Sequence, residues 1–308
     1  MKALLFPGQG SQIIGMGSEF YENFNSVKKI FEQADDRLNF KLSKIILEGP
    51  EDVLKLTQNT QPAILTVSYA IFSTLKNEFN FDLKKIKYFA GHSLGEYSAL
   101  LCANSLNFND AIYLLSERGK AMQEAVPLGE GAMLAILGSE LSEINDLISQ
   151  IKSKKVCEIA NDNADGQTIV SGNLESINEL QNILKEKKKK SILLPVSAPF
   201  HCSLMKSAAD KMEVKINSTL FKSPDYEIVT NVTAKTEKNS NNIKKLLVQQ
   251  IYTKVRWRET IIFMKNNNVN EFIEIGPGKV LSGLVKRITK NTLSTSLNSI
   301  EDINNLIK

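Results

Sequence analysis

The run Gly91-His92-Ser93-Leu94-Gly95 is the part of this chain whose residue types and spacing best suit chemistry. A G-x-S-x-G pattern places a serine on a sharp strand-to-helix turn, so that its Oγ stands clear of the backbone as a nucleophile. Glycines on either side let the chain turn without Cβ clashes. A short strand is expected at Tyr88–Ala90 before the turn, and a helix at Leu94–Ala103 after it. That helix would aim its first N–H groups and positive dipole end at the site. A tight turn with a passive serine is the competing reading, and the bare pattern leaves it open.

A serine nucleophile needs a base, and the chain has 2 histidines. His92 adjoins Ser93, where neighbouring side chains diverge, so packing or hydrogen bonding behind the turn suits it better. His201 closes the segment Ser197-Ala198-Pro199-Phe200-His201, whose small residues and proline suit a loop that delivers a side chain into a cleft. On these grounds His201 reads equally as a base or as a satisfied structural histidine. In Phe6-Pro7-Gly8-Gln9-Gly10-Ser11-Gln12, glycines flank Gln9 and would let its N–H approach an oxyanion. A plain strand-end turn is the alternative there, and no GK[ST] follows to make it a phosphate loop. Arg118, on an amphipathic helix, reads by itself as a surface or salt-bridged arginine. Phe200 reads by itself as core packing.

These side chains need a scaffold, and short apolar runs alternate with helical patterns to supply one. Strands are expected at Ala3–Phe6, Glu227–Val232 and Glu271–Ile275, the last stopping at Gly276-Pro277-Gly278, and a helix at Gln61–Leu75. Asn109 is the expected N-cap of the helix that carries Arg118. The alternation implies an α/β sheet that is largely parallel. The middle of the chain has another rhythm. Strand Ala132–Leu137, helix Glu140–Ile151, strands Val156–Ala160 and Thr168–Val170 joined across Asp165-Gly166, helix Leu174–Lys185 and strand Ile192–Val196 follow one another. That is the β-α-β-β-α-β order of ferredoxin-like units. The expected fold class is therefore α/β, with an α/β-hydrolase-like large subdomain over 1–126 and 197–308 and a mostly parallel sheet. A ferredoxin-like small subdomain is inserted at 127–196. Lys187–Lys190 reads as a solvated helix end and Lys235–Lys245 as an exposed loop.

Composition narrows the setting. With 42% hydrophobic and 23% charged residues the chain is ordinary for a soluble globular protein. No apolar run approaches the ~20 residues that span a bilayer, and MKALLFPGQG reads as a strand and a loop rather than a signal peptide. Cys102, Cys157 and Cys202 show no CxxC spacing, which points to a reducing cytoplasmic setting and away from a disulfide framework. So few histidines leave no ordinary metal site. A net charge of +4 is weak evidence for nucleic acid. Neither a nucleic-acid nor a membrane partner is expected, nor a cofactor, and the chain is read as a monomer.

Taken together, Phe6–Gln12, Gly-His-Ser-Leu-Gly-Glu at 91–96, Arg118-Gly119 followed by Met122-Gln123, and Gly276-Pro277-Gly278 closely resemble the malonyl-CoA:acyl carrier protein transacylases of bacterial fatty-acid synthesis. The motifs occur in that family's order from residue 4 to about 290. The resemblance implies ping-pong transfer of a malonyl group from malonyl-CoA to the thiol of acyl carrier protein. Ser93 would be the acylated nucleophile, His201 its base and acid, and the N–H groups of Gln9 and Leu94 the oxyanion hole. Arg118 would hold the malonyl carboxylate. Phe200 would crowd bulkier acyl groups, Asn161 would line the cleft, and the backbone carbonyl of Gln250 would orient the histidine. Gln249 stands beside Gln250, and Lys254 replaces a family proline nearby. Lys187–Lys190, Lys279, Lys286 and Arg287 would help dock an acidic carrier. A polyketide-pathway acyltransferase and a serine thioesterase or other hydrolase are the alternatives.

Overall fold

The structure is a computed structural model that describes residues 1–196 and 198–308; Ser197, the first residue of the loop expected to lead to His201, lies outside them. The chain opens with β1 (Lys2–Phe6), whose residues after Lys2 are all buried. A strand covered on both faces needs such an unbroken apolar run. Helices α1 (Ser18–Asn23), α2 (Asn25–Leu38), α3 (Leu42–Glu48), α4 (Glu51–Lys55) and α5 (Thr57–Asn77) follow. Next come β2 (Ile86–Gly91), α6 (Gly95–Cys102) and α7 (Phe108–Glu124). A second group comprises β3 (Gly131–Leu137), α8 (Leu141–Ser149), β4 (Cys157–Ala164), β5 (Gln167–Asn173), α9 (Leu174–Glu186) and β6 (Lys190–Leu193). The chain then runs through α10 (Lys206–Ser218), β7 (Glu227–Val229), β8 (Thr236–Glu237), α11 (Ser240–Gln250) and α12 (Trp257–Asn266). It closes with β9 (Glu271–Ile275), α13 (Val280–Ile288), β10 (Leu293–Leu297) and α14 (Ile300–Ile307).

Six strands form one sheet in the order β10-β9-β1-β2-β7-β8, parallel except for the β7–β8 pair. Alternation along β1 sends Leu4 and Phe6 into the apolar layer shared with α5, α6 and α7, and Ala3 and Leu5 into the layer with Trp257, Ile261 and Leu281. The sheet is thus covered on both faces, as a parallel sheet requires. The other four strands make an antiparallel sheet in the order β4-β5-β3-β6. Leu134 and Ile136 of β3 pack there against Ile144 of α8 and Leu180 and Leu184 of α9. The two sheets are joined locally where β4 pairs with Val255: Asp162 N–H donates to the Val255 carbonyl at 3.0 Å and Val255 N–H to that of Ala160 at 2.8 Å. Beside that joint Arg258 grips buried Asp162 and reaches Asp165.

Several expected boundaries move, each for a tertiary reason. Helix α5 starts at Thr57 rather than Gln61, because its polar first turn is buried: Asn59 donates to the Val53 carbonyl and Thr60 to that of Leu54. The N-cap of α7 is Asn107, not Asn109; its Oδ1 accepts the Asp110 N–H at 2.9 Å, while Asn109 sits inside the helix and meets Gln33. Strand β7 stops at Val229 rather than Val232, where a turn closed by the Thr230 N–H on the Lys235 carbonyl takes over. Strand β6 covers Lys190–Leu193 rather than Ile192–Val196, and the chain leaves it before Pro195, which has no N–H to pair. Lys187 caps the C-terminus of α9, Lys188 and Lys189 close its last turn with their N–H groups on the Lys185 and Leu184 carbonyls, and only Lys190 passes into the strand. The stretch 235–245 is not a loop throughout. It holds β8 and the start of α11, whose Asn239 cap accepts from the N–H groups of Asn241 and Asn242. Its Asn, Ser and Lys residues are a cap and a first helical turn, a composition that mimics a loop. No helix among the described residues is long and apolar enough to cross a membrane.

Candidate active site

The turn after β2 carries Ser93 at φ 54°, a left-handed conformation that a side chain rarely adopts. Its surroundings hold it there. Ser93 N–H donates to Asn231 Oδ1 at 2.7 Å, Gln250 Nε2 donates to the Ser93 carbonyl at 3.1 Å, and His92 N–H ties to the Phe6 carbonyl at 3.0 Å. Both flanking glycines are required by close approach. A Cβ on Gly95 would stand 2.2 Å from the Phe6 carbonyl oxygen, and one on Gly91 would stand 1.9 Å from the Gly95 backbone. Residues in such conformations persist where the fold over-determines them, typically at functional sites.

His201, also at positive φ, brings its Nε2 to 2.8 Å from Ser93 Oγ. Its Nδ1 lies 2.8 Å from the Gln250 carbonyl oxygen. A carbonyl can only accept, so the proton belongs on Nδ1, leaving Nε2 free to accept the serine proton. Burial, and then the nearby Arg118 charge, push the His201 imidazole down to about 3, against the partial support of the Gln250 carbonyl. The ring is therefore neutral at neutral pH, with the Nε2 lone pair open to accept a proton. His92 is turned elsewhere: its Nε2 meets Asn163 Oδ1 at 2.8 Å and its ring packs edge-on to Trp257.

Arg118 is not at the surface; it is 1% exposed. Its hydrogen-bonded neighbours are all neutral. Nη1 donates to Gln61 Oε1 at 2.8 Å, and Nη2 donates to Gln250 Oε1 at 2.9 Å and to Ser93 Oγ at 3.2 Å. Its Nε has no hydrogen-bond partner among the described residues. A buried cation so placed is costly unless an anion joins it. Burial lowers its own pKa, opposed by Tyr97 and Glu96.

Gln9, Ser93, Arg118, Asn161, Phe200 and His201 line one cleft of about 360 Å³. Leu94 is the residue from which α6 departs, so its N–H is among those a helix start leaves unused by the helix. Gln9 sits in the turn after β1 with its side-chain amide 3.5 Å from the Thr57 hydroxyl. Asn161 reaches the cleft from β4, and Leu194, Pro195 and Val196 close it on the side of β6. The structure thus gathers the six expected cleft residues in one place, with Leu94 and Gln250 directly beneath. Of the basic candidates for docking, Lys189 is paired with Glu143, and Arg287 donates to Gln167.

An acyl transferase domain model matches residues 3–303. The chain belongs to the acyl transferase family. A curated relative, the malonyl CoA-acyl carrier protein transacylase of Bacillus subtilis, is 42% identical over 303 residues, which is 98% of this chain and 94% of that protein. An acyl-carrier-protein-S-malonyltransferase from Bartonella henselae superposes with a TM-score of 0.97 at 42% identity, covering 99% of this chain and 98% of that one. A malonyl-transacylase solved in complex with its type II PKS acyl-carrier protein superposes with a TM-score of 0.95 at 39% identity, over 98% and 97% of the two chains.

Three residues of this acyltransferase site escaped the sequence reading as site residues. Glu96 is buried directly beneath the turn, and Oε2 accepts the Asn231 N–H and Gln250 Nε2, both at 2.9 Å. Burial pushes its carboxyl up to about 7, against these bonds and the Arg118 charge. Asn231 spans the turn, donating from Nδ2 to the Gly91 carbonyl at 2.7 Å while accepting from Ser93. Gln61 holds the outer guanidinium nitrogen of Arg118. A signal existed for Glu96, an acid that opens an otherwise buried helical run from Tyr97 to Cys102. None existed for Asn231 or Gln61, which read as an ordinary residue near the end of the expected strand Glu227–Val232 and as the first residue of the expected helix Gln61–Leu75.

Proposed function

We propose that this acyltransferase moves a malonyl group from malonyl-CoA to the phosphopantetheine thiol of acyl carrier protein through a malonyl-Ser93 intermediate, supplying fatty-acid synthesis. The observation that carries the reading is Arg118. A buried guanidinium beside the serine, held by amides and not by acids, suits an acyl group that brings its own carboxylate. The names of the relatives agree with it.

His201 Nε2 takes the Ser93 proton as Oγ attacks the thioester carbonyl. The carbonyl oxygen becomes an oxyanion on the N–H groups of Gln9 and Leu94, each such donor being worth about 3 kcal/mol. Collapse breaks the carbon–sulfur bond, and His201 returns the proton to the coenzyme A sulfur. The carrier thiol then attacks malonyl-Ser93 by the reverse path, its proton passing to His201 and back to Ser93 Oγ. The Gln250 carbonyl keeps the imidazole in its productive tautomer throughout. Phe200 narrows the space beside the acyl carbon, and Asn161 supplies a polar wall.

The large subdomain, α/β-hydrolase-like, spans 1–126 and 197–308 in this reading, and the ferredoxin-like insert spans 127–196. The helix-flanked order β4-β5-β3-β6 supports the second assignment. The enzyme would work as a cytoplasmic monomer, with exposed lysines such as Lys187 and Lys188 attracting an acidic carrier. A polyketide carrier is the second reading, favoured by the structural relative solved with a type II PKS acyl-carrier protein.

Incubation with malonyl-CoA and holo carrier protein is expected to give malonyl thioester on the carrier. Free malonate formed at the same rate without carrier would identify a hydrolase instead. Faster turnover with a polyketide carrier than with a fatty-acid carrier would move the enzyme to that pathway.

A further inference from the structure

Among the described residues no carboxylate bonds to Arg118, yet one lies a single side chain away. Gln250 stands between them. Its Oε1 accepts from Arg118 Nη2 at 2.9 Å, and its Nε2 donates to Glu96 Oε2 at 2.9 Å and to the Ser93 carbonyl at 3.1 Å. A primary amide is nearly symmetric in shape, so sterics hardly distinguish its two orientations. Hydrogen bonding does. Rotated by half a turn, the Gln250 amide would set its NH₂ against the guanidinium, donor facing donor, and its oxygen against the Glu96 carboxylate, acceptor facing acceptor. Glu96 is 1% exposed and Gln250 is fully buried, so water does not supply a substitute partner readily.

The same Glu96 oxygen accepts the Asn231 N–H at 2.9 Å. Asn231 in turn accepts from Ser93 N–H and donates to the Gly91 carbonyl, the two sides of the turn. One buried oxygen therefore organises both neighbours of the reacting centre. Through Gln250 it aims an acceptor at Arg118, and through Asn231 it braces Ser93 in its left-handed conformation.

We propose that Glu96 is a positioning residue for acyl selectivity: as a buried acceptor it locks the Gln250 amide so that Arg118 is held toward the acyl site by a neutral oxygen and left free to pair with a substrate carboxylate. A direct Glu96–Arg118 ion pair would satisfy the guanidinium and compete with the substrate. The interposed amide avoids that competition. The proposal rests on the malonyl reading of Arg118 given above.

The test compares Glu96→Gln and Glu96→Ala, with malonyl-CoA and acetyl-CoA as separate donors. Glutamine keeps an acceptor oxygen in place, so Glu96→Gln is expected to keep the malonyl-to-acetyl ratio of kcat/KM within about threefold of the parent protein. Alanine frees the amide, and Glu96→Ala is expected to lower that ratio by about 10- to 100-fold, because an acetyl group brings no carboxylate for Arg118 to pair with. A general loosening of the fold would depress both donors alike and leave the ratio unmoved. If Glu96→Ala does not fold, Gln250→Leu asks the same question, removing the amide while keeping the backbone carbonyl that meets His201. It is expected to lower the ratio by a similar factor. An unchanged ratio in a folded Glu96→Ala or Gln250→Leu protein overturns the proposal, and so does a Glu96→Gln ratio as low as that of alanine. A parent protein with no preference for malonyl-CoA would instead overturn the functional reading on which the proposal stands.

Discussion

Replacing His201 with alanine is expected to lower kcat for malonyl transfer by about 10⁴-fold or more. Among the described residues the imidazole is the one base in reach of Ser93 Oγ, at 2.8 Å, and His92 is committed to Asn163 and Trp257. The pH profile of the parent protein gives an independent check. Burial and Arg118 hold His201 at about 3, below its ordinary 6.5, so the ring remains a base through mildly acidic pH. The acid limb of kcat/KM assigned to this group should accordingly lie well below 6.5. The same shift fixes a sign for stability. Between about 3 and 6.5 the unfolded chain takes up a proton that folded His201 refuses. The contribution of this group to stability is therefore complete above 6.5 and is lost as pH falls toward 3. Glu96 acts oppositely. Its carboxyl sits at about 7 against an ordinary 4.5, so its contribution falls as pH rises through that interval. Denaturant titrations of the parent protein and of Glu96→Gln across this range separate the two. A His201→Ala protein that retained transfer within tenfold of the parent would remove His201 from the chemistry.

Arg118→Ala is the second large effect. Truncating one partner of a buried, hydrogen-bonded charge pair costs about 2–5 kcal/mol, which corresponds to a loss of roughly 30- to 5,000-fold in kcat/KM for malonyl-CoA. Acetyl-CoA brings no carboxylate and leaves the parent guanidinium unpaired, so its turnover should fall far less than that of malonyl-CoA, or rise. The ratio is the informative quantity, because Arg118 Nη2 also touches Ser93 Oγ and its loss disturbs both donors to some extent. Arg118→Lys should recover only part of the malonyl activity, since an ammonium does not offer the planar fork that spans Gln61, Gln250 and a carboxylate. Steady-state kinetics with both donors decide the matter. An unchanged malonyl-to-acetyl ratio would show that Arg118 does not read the carboxylate.

The parts of the site that lie in one short run are legible in the sequence. Gly91, Ser93 and Gly95 announce a strand-to-helix turn by local pattern, and the turn exists with Ser93 at positive φ. The scarcity of histidines drew attention to His201 without proving its role. Arg118 is the opposite case. An arginine on α7 looks like surface because its partners lie far off in sequence, Gln61 at 57 residues and Gln250 at 132. Asn231 was hidden for the same reason: its N–H meets Glu96 across 135 residues. The sheet followed from apolar runs bounded by turn residues, and β9 was read at its true limits. Boundaries shifted where tertiary contacts overrode local composition, as at the buried polar start of α5 and the asparagine-capped start of α11.

Ser93 carries the acyl group between donor and acceptor in the proposed reaction. Intact-mass measurement after brief exposure to malonyl-CoA, without carrier protein, tests it most directly. One malonyl group is expected on the parent protein, localised to the peptide containing Ser93, none on Ser93→Ala, and its discharge when holo carrier protein is added. A Ser93→Ala protein that acquires the same adduct, or a parent protein that transfers malonate without ever acquiring one, would contradict it.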